Sequence, residues 1–284
     1  MDYIYPNKNL LEKRSEKLGK EEKYYSLSKL IYEKDFNDKL LFPVGIDNNN
    51  EKYYINLLEK SGMFISGETG SGKSIFINDI VISLLLKNTP EELQIVFIDP
   101  RNVEFNVYRG VPHVQNNVFS NKEDSVNALK KMINTIEERR ELFVNSNNKN
   151  IGDYNSKEKE KLPQILLIID ESSDVFEYME TKDYINRILS EGYKFGIHLI
   201  LATSSYLKNS FDQETLNKFN YILSFDLASE EQAKYLKMKR ANLLSISGEA
   251  LIKLEGDNII NIQVPYVSDR DIEVIVNYLK NTSN

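Results

Sequence analysis

The sequence has no cysteine and no tryptophan, and only 2 histidines in 284 residues. Without cysteine there is no disulfide framework, no thiolate metal site and no thiol nucleophile, and the composition suits a reducing compartment. His113 and His198 are too few for a multi-histidine metal centre, and they argue against a Ser-His-Asp enzyme as well. Long apolar runs are missing too: "IVISLLL" and "ILLII" fall well short of the ~18 residues that mark a membrane-spanning helix. No apolar signal segment follows Met1, so the expectation is a cytoplasmic protein with no membrane insertion of its own. An excess of basic charge is also absent. The 36 Lys and Arg against 43 Asp and Glu give a formal net charge of -7. That excludes a protein coating nucleic acid with its whole surface, because such affinity comes from neutralising phosphates. A local basic surface stays open.

The length allows one large α/β domain with an appended segment. Residues 1–39 are dense in charge, as in "LLEKRSEKLGKEEKYY", and read as an N-terminal arm or exposed helix. From residue 40 to 284 the pattern becomes regular. Strand candidates at 52–57 and 62–66 precede a helix from Lys73 whose Ile77, Ile80, Val81 and Leu84 share a face. "QIVFIDP" reads as a strand, residues 122–144 as a long helix with the stripe Val126, Leu129, Ile133 and Ile136, and residues 145–161 as a polar connection. "QILLIIDE", a helix before Gly196, "IHLILATS", "YILSF", a helix at 229–237 and strands near 249–254 and 259–264 follow. Ser268 is the N-cap candidate of a closing helix. Alternation of apolar strands with helices predicts an α/β fold with a mainly parallel central sheet flanked by helices.

The chemistry concentrates in "GETGSGKS", residues 67–74, which lies between the apolar Met63-Phe64-Ile65 and an amphipathic helix. Gly67, Glu68, Thr69, Gly70, Ser71 and Gly72 supply a backbone able to wrap an anion with consecutive N–H groups. Lys73 offers a charge to the β and γ phosphates and Ser74 a hydroxyl to Mg²⁺, with Ile75 beginning the helix. This is an expected ATP and Mg²⁺ site, in which Lys73 also serves the chemistry. The run "ILLIIDE" ends a buried strand with Asp170, which can hold the magnesium water shell, and Glu171, which can deprotonate the attacking water. Thr203 and Ser204 end another strand, where a hydroxyl can sense the γ-phosphate or simply face water.

"FISGETGSGKS", "IDPRNVEFNVYRGVPHV", "ALKKMINTIEERRELF", "NIGDYN", "LPQILLIIDESSD" and "GIHLILATS" occur in the order and spacing of the motor domain of the FtsK/SpoIIIE family, which residues 40 to 280 resemble. The resemblance implies a RecA-like P-loop ATPase fold with a short N-terminal extension. It also implies ATP hydrolysis with Glu171 as base, assembly into a ring, typically a hexamer, and movement of double-stranded DNA without base-sequence preference, as in plasmid, phage or conjugative-element transfer or segregation. Asp99 and Arg101 fall in the segment that lies near nucleotide and subunit interface in the family, with Arg where Lys is usual. Departures are equally specific. Ser204, Ser205 and Tyr206 replace Gln-Arg-Pro, "GYKFG" replaces Gly-Arg-Ala-Ala-Gly, and Ile222 stands where an Arg is usual. Lys194, Arg187 or Arg240 is then the expected source of a cation across the ring interface. Lys208 and Lys218 are candidate DNA contacts. No winged-helix module is expected, so sequence reading would come from elsewhere, and a membrane-bound partner is compatible with a chain that has no span of its own. Two other readings follow from the departures and from distant relatives: an ATP-binding assembly component with little turnover, and a protein-translocating ATPase of the type VII secretion kind.

Overall fold

The structure is a computed structural model that describes residues 3–7, 10–11, 25–32, 38–58, 60, 62–114, 117–171, 179–204, 211–254, 256 and 258–282. In chain order the elements are β1 (Tyr25–Ser26), α1 (Leu27–Tyr32), β2 (Leu41–Asp47), β3 (Lys52–Asn56), β4 (Gly62–Ser66), α2 (Lys73–Leu85), β5 (Leu93–Ile98), β6 (Val118–Phe119), α3 (Lys122–Asn145) and α4 (Ile151–Lys157). They continue with β7 (Gln164–Ile169), α5 (Met179–Glu191), β8 (Ile197–Thr203), α6 (Gln213–Leu216), β9 (Tyr221–Ser224), α7 (Glu230–Tyr235), β10 (Glu249–Lys253), β11 (Ile259–Gln263), β12 (Pro265–Tyr266) and α8 (Asp269–Asn281). The class is α/β, as the alternation predicted. Contacts divide the chain into two compact units, one of Met1–Asn56, Ile65–Thr89 and Tyr221–Asn284, the other of Leu57–Phe64 and Pro90–Asn220.

In the second unit β8, β7, β5 and β6 lie side by side in that order, all parallel. Every residue of β8 and all but the first of β7 are buried. That is why these strands read as continuous apolar runs rather than alternating ones. The crossovers are helical. Asn121 caps α3 by accepting from the Asp124 N–H, and Leu129, Ile133 and Ile136 bury the expected stripe while Val126 is half-buried. Arg140 and Arg187 tie α3 to α5 through Glu137 and Glu191. The expected polar connection at 145–161 contains a helix instead. Asn150 caps α4 from the Asp153 N–H, and Ile151 with Tyr154 buries one turn, Tyr154 lying 5.4 Å from the Phe143 ring. Two buried apolar residues three apart, with an N-cap, hold this seven-residue helix. His198 is a satisfied core histidine: burial pushes its pKa down to about 4, and its ring nitrogens face Lys60 O and Gln164 Oε1.

In the first unit the strands β3, β2, β11, β10 and β9 run in that order and pair antiparallel. Residues 25–32 of the charged arm belong to this unit. There β1 pairs with β12, and Leu27, Leu30 and Ile31 of α1 are buried. Helix α2 is covered on more sides than the predicted face, because Phe76, Ile82 and Leu85 are buried along with Ile77, Ile80, Val81 and Leu84. Ser268 caps α8 as expected, in a reciprocal capping box with Asp271.

One buried residue of α2 is acidic. Asp79 is fully buried, and neither carboxyl oxygen makes a hydrogen bond of normal geometry among the described residues. Burial raises its pKa well above the ordinary value and outweighs the nearby Val267 N–H, which favours the charged form. The folded state therefore keeps the Asp79 proton to higher pH than the unfolded chain does. That contribution to stability is complete below about pH 4 and declines by about 1.4 kcal/mol per pH unit until the raised folded pKa is passed. His198 contributes the opposite slope, since its folded pKa is depressed. Chemical denaturation of wild type and Asp79→Asn from pH 4 to 8 should show the variant gaining relative stability as pH rises. Parallel curves would show that Asp79 is ionised in the fold.

Candidate functional site

The phosphate loop belongs to the first unit. After β4 ends at Ser66, the backbone passes through Gly67, Gly70 and Gly72 at φ 154°, 83° and 116°. Steric demand is tightest at Gly67, where a Cβ would lie 2.6 Å from Ser71 Oγ and 2.7 Å from Phe225 Cβ. At Gly72 it would meet the Phe225 ring at 3.2 Å, whereas at Gly70 it would meet nothing within 4 Å among the described residues. The loop is pinned from outside by the Glu68 N–H, which donates to Asp226 O at 2.8 Å, and by the Phe225 N–H, which donates to Ser66 O at 2.9 Å.

Gly72 is the N-cap of α2 and brings no side chain to cap it. The amides of the first turn, and the positive end of a 13-residue helix, thus remain available to an anion. Lys73 is buried and its ammonium donates to Gly67 O and Glu68 O at 2.8 and 2.9 Å. Ser71 Oγ is buried without a hydrogen-bond partner among the described residues. Ser74 is half-buried, while Glu68, Thr69, Gly70 and Ile75 are exposed. A cradle that a Cβ would fill, an uncapped helix start, a buried ammonium and a hydroxyl lacking a partner fit a nucleotide phosphate, and Ser74 has the hydroxyl that its magnesium requires.

The acidic pair belongs to the second unit. Asp170, directly after β7, is buried and its N–H continues the ladder to Ile98 O at 3.0 Å. Glu171 is also buried and adopts φ 50°. A left-handed conformation costs a non-glycine residue about 1–3 kcal/mol and tends to persist where it positions a functional group. Its Oε2 accepts the Ser204 N–H at 3.1 Å, and the Arg101 guanidinium lies 3.6 Å from the same oxygen. Thr203 is buried at the end of β8. Ser204 thus meets the acidic pair through its backbone amide, a contact that no reading of its hydroxyl anticipates.

The remaining candidates are less concentrated. Lys208, Ser205 and Tyr206 lie outside the described residues. Lys218 donates to Asn186 Oδ1 at 2.9 Å and Glu214 Oε1 at 3.1 Å. Arg187 is engaged by Glu137 and Glu191, whereas Lys194 is exposed over the Tyr193 ring at 5.9 Å and Arg240 is exposed at φ 76°. Ile222 lies within β9 and pairs with Lys253. Phe225 and Asp226, which shape the loop, carry no local motif. Their role is visible only once β9 is placed.

The fold is that of P-loop ATPases. The cytoplasmic domain of the type VII secretion ATPase EccC of Thermomonospora curvata superposes with a TM-score of 0.75 at 20% identity, covering 90% of this chain and 34% of that one. The pCW3 conjugation coupling protein TcpA, in its monomer form with ATPγS, gives 0.75 at 22% identity over 87% of this chain and 72% of that one. Residues 32–169 match the FtsK/SpoIIIE family, and the chain carries a domain of that family of ATPases. The DNA translocase FtsK of Campylobacter jejuni is 34% identical over 258 residues, which cover 87% of this chain and 27% of that protein. The chain spans between 27% and 35% of the length of such relatives. Among the described residues no helix is long and apolar enough to cross a membrane.

The glycines separate shape from strain. Gly70→Ala should cost only the left-handed backbone penalty, about 1–2 kcal/mol. Gly67→Ala adds contacts with Phe225 and Ser71 that the loop can relieve only by moving. Thermal melting with and without Mg-ATP should therefore show a larger loss of nucleotide-induced stabilisation in Gly67→Ala than in Gly70→Ala. Equal losses would contradict the cradle.

Proposed function

We propose that this chain is an ATP-hydrolysing motor that assembles into a ring, hexameric by family precedent, and moves double-stranded DNA independently of base sequence. What carries the ATP half is the glycine cradle closed by Phe225 around Lys73 and the uncapped start of α2. The DNA half rests on 34% identity to a DNA translocase over 258 residues. In this reading the loop from Gly67 to Ser74, with Glu68, Thr69 and Ile75 at its rim, receives the phosphates through the amides not already given to Asp226 O and Glu68 O. Lys73 exchanges the Gly67 and Glu68 carbonyls for them. Ser74 and Asp170 hold magnesium, which when bound neutralises charge developing on the phosphates. Glu171 takes the proton of the attacking water, and Thr203 with Ser204 monitors the γ-phosphate from the end of β8. Of the three basic residues suggested for the neighbouring site, Lys194 and Arg240 suit the role better than Arg187, which would first leave two carboxylates. Lys208 and Lys218 are the proposed phosphate contacts on DNA. A membrane-bound partner would supply any tether.

Two variants divide binding from chemistry. Mg-ATP at ~100 times its dissociation constant stabilises a folded-state binder by about 2.7 kcal/mol, and Lys73→Ala should lose most of that shift. Glu171→Gln should keep it while losing turnover, the pattern of a group needed only in the transition state. Turnover with and without duplex DNA across a salt series tests the cargo. Stimulation that falls steeply with salt and ignores sequence is expected. An assembled ring whose turnover is indifferent to DNA at low salt would transfer the chain to the assembly or protein-secretion readings.

A further inference from the structure

We infer that Arg101 is a positioning residue for Glu171: with the Ser204 amide it holds one carboxylate oxygen so that the other addresses the attacking water. The inference rests on the role proposed for Glu171 and adds a residue to it.

Arg101 is placed by a turn built with unusual care. Asp99, directly after β5, is buried, and its Oδ2 accepts the N–H groups of Val103 and Glu104 at 2.9 Å each and that of Phe105 at 3.4 Å. Its own carbonyl accepts the Asn102 N–H at 2.9 Å, with Asn102 at φ 54°. Beyond the turn, Phe105 and Tyr108 stack on Phe97 at 4.4 and 5.4 Å, and all three rings are fully buried. The turn is therefore anchored at both ends, and Arg101 projects from its tip.

The contact it makes is asymmetric. Arg101's side chain is 49% exposed, Glu171's only 7%, and the guanidinium reaches the same Oε2 that accepts the Ser204 N–H. Oε1 takes part in neither contact. A carboxylate on a left-handed residue, with one oxygen held by a backbone hydrogen bond and an ion pair, keeps its other oxygen in a defined direction. In hydrolysis the water oxygen bonds to the γ-phosphorus as the bond to the β-bridging oxygen breaks, and the water proton passes to a carboxylate oxygen. Positioning of that oxygen governs the rate without governing nucleotide affinity. Because one partner is half-exposed, the ion pair contributes little to stability, so loss of the contact and loss of the fold are separable.

The experiment compares wild type, Arg101→Ala, Arg101→Lys, Glu171→Gln and the double variant Arg101→Ala/Glu171→Gln, all as the full chain. It measures steady-state and single-turnover ATP hydrolysis, nucleotide affinity and thermal melting. Arg101→Ala should lower kcat by roughly tenfold to a hundredfold with KM, nucleotide affinity and Tm near wild type, and Arg101→Lys should recover most of the rate. In the Glu171→Gln background Arg101→Ala should add no further loss, since residues acting through one group are not additive. A raised KM with unchanged kcat would make Arg101 a nucleotide ligand and overturn the inference. So would an unchanged or raised kcat, or an equal loss with and without Glu171. If Glu171→Gln alone retains turnover, the base assignment itself fails and Arg101's role falls with it.

Discussion

The phosphate loop depends on Phe225. Its Cβ occupies the space where a side chain at position 67 would stand, and its ring crowds position 72 at 3.2 Å, where the positive φ of 116° also favours glycine. The same residue is fixed by its N–H on Ser66 O, by the neighbouring Glu68–Asp226 bond and by the edge of the Phe76 ring at 6.2 Å. Backbone, helix and strand end are thus locked to one another around a loop that contributes no apolar side chain of its own. A loop held in this way keeps its amides directed without rearranging, and preorganised donors are the form in which electrostatic stabilisation is most effective.

This constraint also marks the limit of what the sequence reveals. The glycines, Lys73 and the apolar strand before them are contiguous, so their chemistry is legible from spacing alone. Asp170 and Glu171 are legible because five apolar residues point to a strand and the acids follow it. Ser268 announces its helix because the cap, the acidic first turn and the apolar period fall within a dozen residues. Phe225 is invisible by the same logic. Ser66 and Ser224, whose hydroxyls meet at 3.2 Å, are 158 residues apart, and nothing near "YILSF" signals a phosphate loop. The short helix α4 was hidden for the opposite reason, since seven residues with two buried apolar positions are too few to establish a period. Pairing direction was hidden too. Strands β9, β10 and β11 run antiparallel, although the alternation upstream of them suggested parallel order.

The acidic pair shows how a local departure can be absorbed. Ser204 stands where the family resemblance led one to expect a side-chain amide, yet its backbone N–H delivers a hydrogen bond to Glu171. A backbone donor is indifferent to the side chain that follows β8, provided the residue is not proline. The substitution therefore removes a polar group beyond the strand without removing a donor from the acid.

Charge is the remaining tension, because a chain of net charge -7 is proposed to handle a polyanion. In the second unit many basic groups are already neutralised: Lys182 by Asp212, whose pKa it draws down to about 2, Lys218 by Glu214, and Arg140 and Arg187 by Glu137 and Glu191. These pairs lie largely at the surface, where each contributes little to stability. A phosphate backbone can then displace a carboxylate at small cost, provided the acid can swing back into water. Binding by exchange of partners is weaker than binding to unpaired cations, since each new contact first costs an existing ion pair. In the proposed assembly, weak contacts of this kind from one copy would add up when several copies surround one duplex. The acidity of the chain is thus compatible with the proposed cargo if the proposed ring brings several such surfaces to one duplex.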